Sequence, residues 1–359
     1  MIKCNYIWFI ELCKGGNSVV NSHFIPQLIL RHFCEDDKIQ YYDIKDKKSE
    51  TRSTRSVFSE KGYYPEQLEK DLCHKIEVQF ANILNKKLLC ENYKVSINSD
   101  DMLVLKKYLI ITTLRVRDDD MLHNSWYQVL KRDDFIPEDN TLKNFFSGDF
   151  FDNMNRILEC KDLDTLLDSA LKGENMNLFT FVKDVVYSYN VFVKTNNSKQ
   201  EFIIPDRGWA GYRGPMSVKK LNAMFSMLEL RYDPYIEMLL HMSSPQDYAI
   251  FPIAKNMAIL TISPAFKICL PGAHYNIIYP DNAPTLSQCL GFGSVNTIAM
   301  PDNKFLRDGT KEYKYNIQQL SKQDVAFLNG LLLKNVDNYF GYANKDRIQY
   351  SMQHNEIEL

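Results

Sequence analysis

The chain has 359 residues, of which 45% are hydrophobic and 25% charged, a balance that suits one large or two ordinary globular domains and excludes a disordered or fibrous chain. A net charge of -2 excludes a broadly basic nucleic-acid coat, although a local cationic groove is compatible with it. The eight cysteines form no C-x-x-C pair, so neither a zinc ribbon nor a disulfide framework is indicated, and the apolar run Tyr6 to Ile10 is too short for a membrane span. The expectation is a cytoplasmic protein with reduced thiols and no membrane partner.

The first informative stretch is His23-Phe24-Ile25-Pro26-Gln27-Leu28-Ile29-Leu30-Arg31-His32-Phe33. Proline is tolerated in the first helical turn, so Pro26 predicts a helix that turns Leu28, Leu30 and Phe33 into a core. His23 then stands just outside the positive end of that helix, where neutral imidazole is favoured, and becomes a candidate base or metal ligand. The alternative is that His23 merely caps or packs on the turn. Residues 38–44 (KIQYYDI) have the composition of a strand. From Pro65 to Leu89, the positions Leu68, Leu72, Ile76, Phe80, Ile83 and Leu84 recur at helical spacing, again with a proline at the first turn.

Asn98 or Ser99 caps the next predicted helix, which starts with Asp100 and Asp101 and carries the apolar Tyr108-Leu109-Ile110-Ile111 in its middle. Arg115 and Arg117 lie at its far end, before an Asp118-Asp119-Asp120 run that reads as a solvated break. Two short helices are expected over 148–172. Tyr189 to Lys194 and Gln200 to Ile204 read as paired strands closed by the loop Pro205-Asp206-Arg207-Gly208. A helical insertion is expected over Ser217 to Met242, and short, proline-punctuated strands over 248–270. Ser321-x-x-Asp324 reads as a capping box that opens a closing amphipathic helix through Tyr339, with Asn329 inside it.

These elements predict an α+β fold: a mostly helical N-terminal half with a small sheet (1–188), and a C-terminal half (189–359) with a mainly antiparallel sheet and a closing helix, the two either sharing one core or forming one each. No P-loop, H-E-x-x-H or G-x-S-x-G occurs, and Gly291-Phe292-Gly293 lacks a third glycine for a dinucleotide fingerprint. Pro301-Asp302 followed by Glu312-Tyr313-Lys314 has the residue types of a metal-dependent nuclease core. Turn chemistry explains it more simply, which predicts a surface hairpin or loop there.

The His23-x-x-Pro26 opening with Leu30 and Phe33, the KIQYYDI strand, Tyr64, Glu69, Glu77, Arg115 and Phe202-Ile203-Ile204-Pro205-Asp206 together resemble the family catalogued as domain of unknown function 4238. Phe251-Pro252-Ile253 and Asp324 to Asn329 are similar to that family's last landmarks, and the resemblance runs over residues 21–345. The family's loop usually reads Ser-Asp-Asn-Pro where this chain has Pro205-Asp206-Arg207-Gly208, so only Asp206 carries across.

The landmark set is polar for pure packing. His23, Glu77 and Asp206 are candidate catalytic groups, Arg115 and Asn329 candidate substrate-binding groups, and Glu69 with Glu77 candidate ligands for a divalent cation, Mg or Mn. His23, Glu77, Arg115 and Asp206 are expected to converge on one concave surface. The corresponding function is a phosphodiester-cleaving, nuclease-like hydrolase acting on nucleic acid or a nucleotide, a toxin or antiviral effector in the family's general look. Competing expectations are a noncatalytic protein- or nucleic-acid-binding module and a small-molecule hydrolase. A purely architectural arrangement would have Arg115 paired with Glu69 or Glu77 and Asp206 capping a loop.

Overall fold

A computed structural model describes residues 21–90, 93–115, 150–171, 182, 185–186, 188–195, 199–212, 248–262 and 312–357. The expectations for Asp118-Asp119-Asp120, for Ser217 to Met242 and for Pro301-Asp302 lie outside these residues. Along the chain come β1 (Asn21–His23), the single turn α1 (Gln27–Leu30) with a 3-10 extension, β2 (Lys38–Asp43), β3 (Lys48–Ser53) and β4 (Ser59–Lys61). A continuous helical rod follows: α2 (Glu66–Leu72), a π-helical turn (Cys73–Glu77), α3 (Val78–Ile83) and a second π-helical turn (Leu84–Leu88). Both prolines stand one place earlier than predicted. Pro26 and Pro65 are N-caps with ψ of 137° and 138°, so each ring sets the helical φ while its extended ψ keeps it outside the helix.

Next come β5 (Lys94–Asn98), α4 (Ser99–Leu114), α5 (Phe150–Glu159), α6 (Leu163–Leu171) and β6 (Tyr189–Lys194). They are followed by β7 (Ile204–Pro205), β8 (Ala210–Tyr212), β9 (Tyr248–Ala254), β10 (Met257–Ile262), β11 (Glu312–Asn316) and β12 (Gln318–Gln319). The last described elements are α7 (Lys322–Lys334), β13 (Tyr339–Tyr342) and α8 (Lys345–His354). The fold is α+β. The largest sheet has the order β12-β6-β10-β9-β8, and a four-stranded sheet the order β3-β2-β13-β7. All pairings are antiparallel except β12 with β6. Sheets draw on both ends of the sequence: β5 pairs with β11, and β2 with β13.

Three expectations need correction. The segment from Gln200 to Ile204 does not pair with β6, whose neighbours are β10 and β12. Its end, β7, joins β13 instead, because the long aliphatic β10 offers β6 six residues of register where the short return does not. The capping box at Ser321 and Asp324 is present with both reciprocal bonds, but α7 stops at Lys334. Tyr339 starts a strand, its aromatic ring stacked on Tyr41 at 4.7 Å. The closing element is α8, not α7.

α4 runs through the middle of the core. Asn98 caps it by accepting the Asp101 N–H at 2.8 Å, and its residues from Leu105 to Leu114 are buried, so it is covered on every side. Phe80 of α3 stacks on Tyr108 of α4, with ring centroids 3.8 Å apart and planes 5° from parallel. Even Lys106 and Lys107 are only 2% and 6% exposed. Lys106 Nζ donates to Val185 O (2.8 Å), Ser188 O (2.8 Å), Ser188 Oγ (3.0 Å) and Asn190 Oδ1 (3.0 Å). Lys107 Nζ donates to Leu158 O at 2.8 Å and to Cys160 O, closing the C-terminal end of α5. These two amines serve carbonyls in a dry interior, one of which, Val185 O, also accepts the Ser188 hydroxyl at 2.8 Å. Lys106→Met should therefore cost about 2–3 kcal/mol, read from the urea midpoint, by stranding buried acceptors.

Candidate functional site

The ribbon of β1 and β4 places His23 opposite Ser59, directly before the chain turns into α1. Glu69 and Glu77 come from the rod. Eight residues along a regular α-helix leave two side chains roughly 80° apart. The π turn changes this: the Val78 N–H bonds back to Cys73 O, and the extra residue it accommodates brings Glu77 to within about 20° of Glu69's bearing. Arg115 is the C-cap of α4, its N–H held by Ile111 O at 2.9 Å. A cation there also meets the negative end of the helix dipole.

Arg115 Nη2 donates to Glu77 Oε1 at 2.6 Å, with side chains 2% and 15% exposed. Burial pushes the guanidinium's pKa down, and the carboxylates of Glu77 and Glu69 more than restore it. Glu69 lacks such a tight partner. Burial pushes its carboxyl up to about 7, Arg115 pulling down and Glu77 pushing up, while the Ser22 hydroxyl supplies a hydrogen bond. That hydroxyl also accepts the Tyr64 N–H at 2.9 Å. The His23 pKa lies below its ordinary value. Burial is the main cause, opposed by Glu77 and by the carbonyls of Asn21 and Thr54, and reinforced by Arg115.

The tautomer of His23 follows from its neighbours. Nδ1 lies 3.1 Å from Asn21 O, which can only accept, so Nδ1 carries the proton. Nε2 then offers its lone pair, and the Gln27 amide donates to it at 3.1 Å. At neutral pH the cluster thus holds a neutral imidazole whose basic nitrogen accepts the Gln27 amide, a carboxyl that readily keeps a proton, and a buried positive charge. His23 and Glu69 are partly exposed whereas Arg115 is buried.

Three of the four groups expected to converge, His23, Glu77 and Arg115, do act on one another, and Glu69 joins them. Asp206 does different work. Its carboxylate accepts the backbone N–H groups of Asp337 (3.0 Å), Asn338 (2.7 Å) and Tyr339 (3.0 Å). Burial pushes its pKa up to about 6 although these amides pull the other way. Arg207 clamps Asp337 with two bonds of 2.6 and 2.7 Å, and Gly208 turns the loop at φ +74°. A Cβ on Gly208 would meet Thr112 Cγ2 at 3.3 Å and Ile25 Cγ1 at 3.7 Å. The loop therefore buttresses α4 and the β1–α1 connection rather than supplying a catalytic group.

Asn329 is likewise corrected as a substrate-binding residue. It is 0% exposed, accepts the Ile203 N–H at 3.1 Å, and donates to Glu201 O and Ser351 Oγ at 3.0 Å each. No face of it is left for a ligand. Glu312 and Lys314 lie exposed on β11. As for a divalent cation on Glu69 and Glu77, Glu77 is already bound to Arg115, and among the described residues no three His, Cys, Asp or Glu side chains are grouped to hold a metal ion. Sequence reasoning missed Ser22 and Gln27. The second had a signal, since it lies four residues after His23 on the opening turn.

Two outcomes test the electrostatics. Arg115→Met should cost about 3–5 kcal/mol by stranding Glu77, with much of that recovered in the Arg115→Met, Glu77→Met double variant. For Glu69, the folded pKa of about 7 exceeds the ordinary 4.5, so the folded state binds more protons than the unfolded one between these values. Its contribution to stability therefore falls as pH rises through that window. Glu69→Gln should flatten the fall, gaining on the parent at pH 8 but not at pH 4, as read from urea midpoints.

No helix among the described residues is long and apolar enough to cross a membrane. No curated protein and no solved structure matches the chain. The family profile described as Protein of unknown function (DUF4238) matches residues 21–346. That span runs from the strand bearing His23 to the first turn of α8, and the chain belongs to this family.

Proposed function

We propose that the protein cleaves phosphodiester bonds in nucleic acid or a nucleotide, with His23 as general base, Glu69 as general acid and Arg115 as the cation facing the phosphate. The observation that carries the proposal is the opposite proton bias of two partly exposed groups that both feel Glu77 and Arg115. The His23 pKa is driven down and the Glu69 pKa up to about 7, so near neutrality one is ready to take a proton and the other to give one. Arg115 offers planar donors suited to phosphate oxygens, and Glu77 fixes its orientation. A divalent cation would have to compete with Arg115 for Glu77, and no step of this reading runs through one.

The test is the pH profile of turnover with nucleic acids and with bis(p-nitrophenyl) phosphate as a generic diester. The profile should be a narrow bell: the acid limb falls below pH 6.5 as His23 protonates, and the alkaline limb falls near pH 7 as Glu69 ionises. His23→Ala and Glu69→Gln should each lower kcat by about 10²–10⁴-fold, with the melting temperature hardly moved in the first and not lowered in the second. Stoichiometric binding of nucleic acid without turnover would replace this reading with a noncatalytic binding module.

A further inference from the structure

The buried polar atoms around His23 are unevenly satisfied. Arg115 Nε has a hydrogen to donate and no acceptor, while Glu69 Oε1 and Gln27 Oε1 have lone pairs and no donor. His23 Nε2 is a further acceptor, occupied only by the Gln27 amide at 3.1 Å. Asp206, which accepts three amides, Asn329, which makes three bonds, and Lys106, which has four acceptors, are saturated, whereas Ser96 Oγ, Thr112 Oγ1, Glu201 Oε2 and Trp209 Nε1 are single buried atoms left unmet at other places in the core. Three unmet groups of both polarities on side chains around one partly exposed histidine describe the complement of a ligand. That ligand has an anionic oxygen for Arg115 and a hydroxyl for the acceptors beside His23.

A phosphodiester alone offers only acceptors, and a deoxyribose adds no hydroxyl next to it. A ribose does. On the phosphodiester reading above, we propose that the substrate is RNA and that the nucleophile is the ribose 2′-hydroxyl adjacent to the scissile phosphate. The hydroxyl displaces the Gln27 amide from His23 Nε2, and a phosphate oxygen takes the Arg115 Nε hydrogen. His23 Nε2 removes the 2′-hydroxyl proton as the bond from O2′ to phosphorus forms. The bond from phosphorus to O5′ breaks, and Glu69 gives its proton to the departing O5′. The products are a 2′,3′-cyclic phosphate and a 5′-hydroxyl, with no change in oxidation state. A site built to bond a hydroxyl rejects a substrate lacking it because its acceptors stay buried and unmet, which is how a protein tells RNA from DNA.

The experiment incubates the full chain with bulk RNA, a mixed-sequence RNA oligonucleotide, and its DNA and 2′-O-methyl counterparts, with product ends read by mass spectrometry. The expected result is RNA cleavage leaving 2′,3′-cyclic phosphate and 5′-hydroxyl ends, with the other two polymers cut at least about 10³-fold more slowly. His23→Ala should lose about 10²-fold or more in cleavage while RNA affinity changes little. Comparable cutting of DNA or 2′-O-methyl RNA, or 5′-phosphate ends, would overturn the RNA assignment and leave the phosphodiester reading standing. Bis(p-nitrophenyl) phosphate turned over with all RNA intact would do the same. If none of these diesters is cleaved, both readings fall.

Discussion

A guanidinium with 2% of its side chain exposed must be neutralised where it lies, and Glu77 is the group that neutralises Arg115. That one ion pair ties three parts of the chain. It closes the C-terminal end of the central helix α4, it sets the rotation of the rod that carries both glutamates, and its field reaches His23 at the end of β1. The pair is possible because the rod is not a regular α-helix. Without the π turn over Cys73–Glu77, Glu77 would lie roughly 80° round from Glu69, and the buried cation would face the wrong side of the helix.

Around this pair the core is held by polar pins as much as by apolar packing. The extended stretch 200–209 contributes only the two-residue β7 to a sheet, so its backbone groups need other partners. Asn329 reaches across from α7 to bond residues 201 and 203. Buried Glu201 pairs with Arg347 at 2.7 Å, while the Asp206 carboxylate and the Arg207 clamp fasten the turn before β13. Two landmarks that look chemical in the sequence are therefore fasteners, and their polarity answers to backbone groups left without a ladder.

Asp206 and Glu69 are both buried carboxyl groups with raised pKa, and the bonds they make set them apart. A carboxylate that accepts three amides is committed, and moving it would break the turn it holds. The carboxyl of Glu69 and the amide of Gln27 each keep a buried oxygen without a donor, at a cost the fold bears elsewhere. Such groups are where a ligand's hydrogen bonds add to those of the protein rather than replace them.

The α+β class, the strand at 38–43, the long rod after Pro65, the Asn98 cap and the Ser321 capping box were all legible in the sequence, because each rests on local periodicity or on contacts within a few residues. The grouping of His23, Glu77 and Arg115 was expected, together with Asp206, only from the family landmarks and their polar character. Which of them share a site depends on the π turn and on where α4 ends, and neither leaves a periodic trace. The hairpin expected between Tyr189 and Ile204 failed for a related reason: strand composition is local, whereas the choice of partner is made by whichever strand completes the longest ladder. Chain order and hydrophobic spacing by themselves determined what elements this protein makes. Only the tertiary structure decided that Asp206 and Asn329 bind backbone while Glu69 keeps an unmet oxygen, because the backbone groups that Asp206 and Asn329 serve lie more than a hundred positions away.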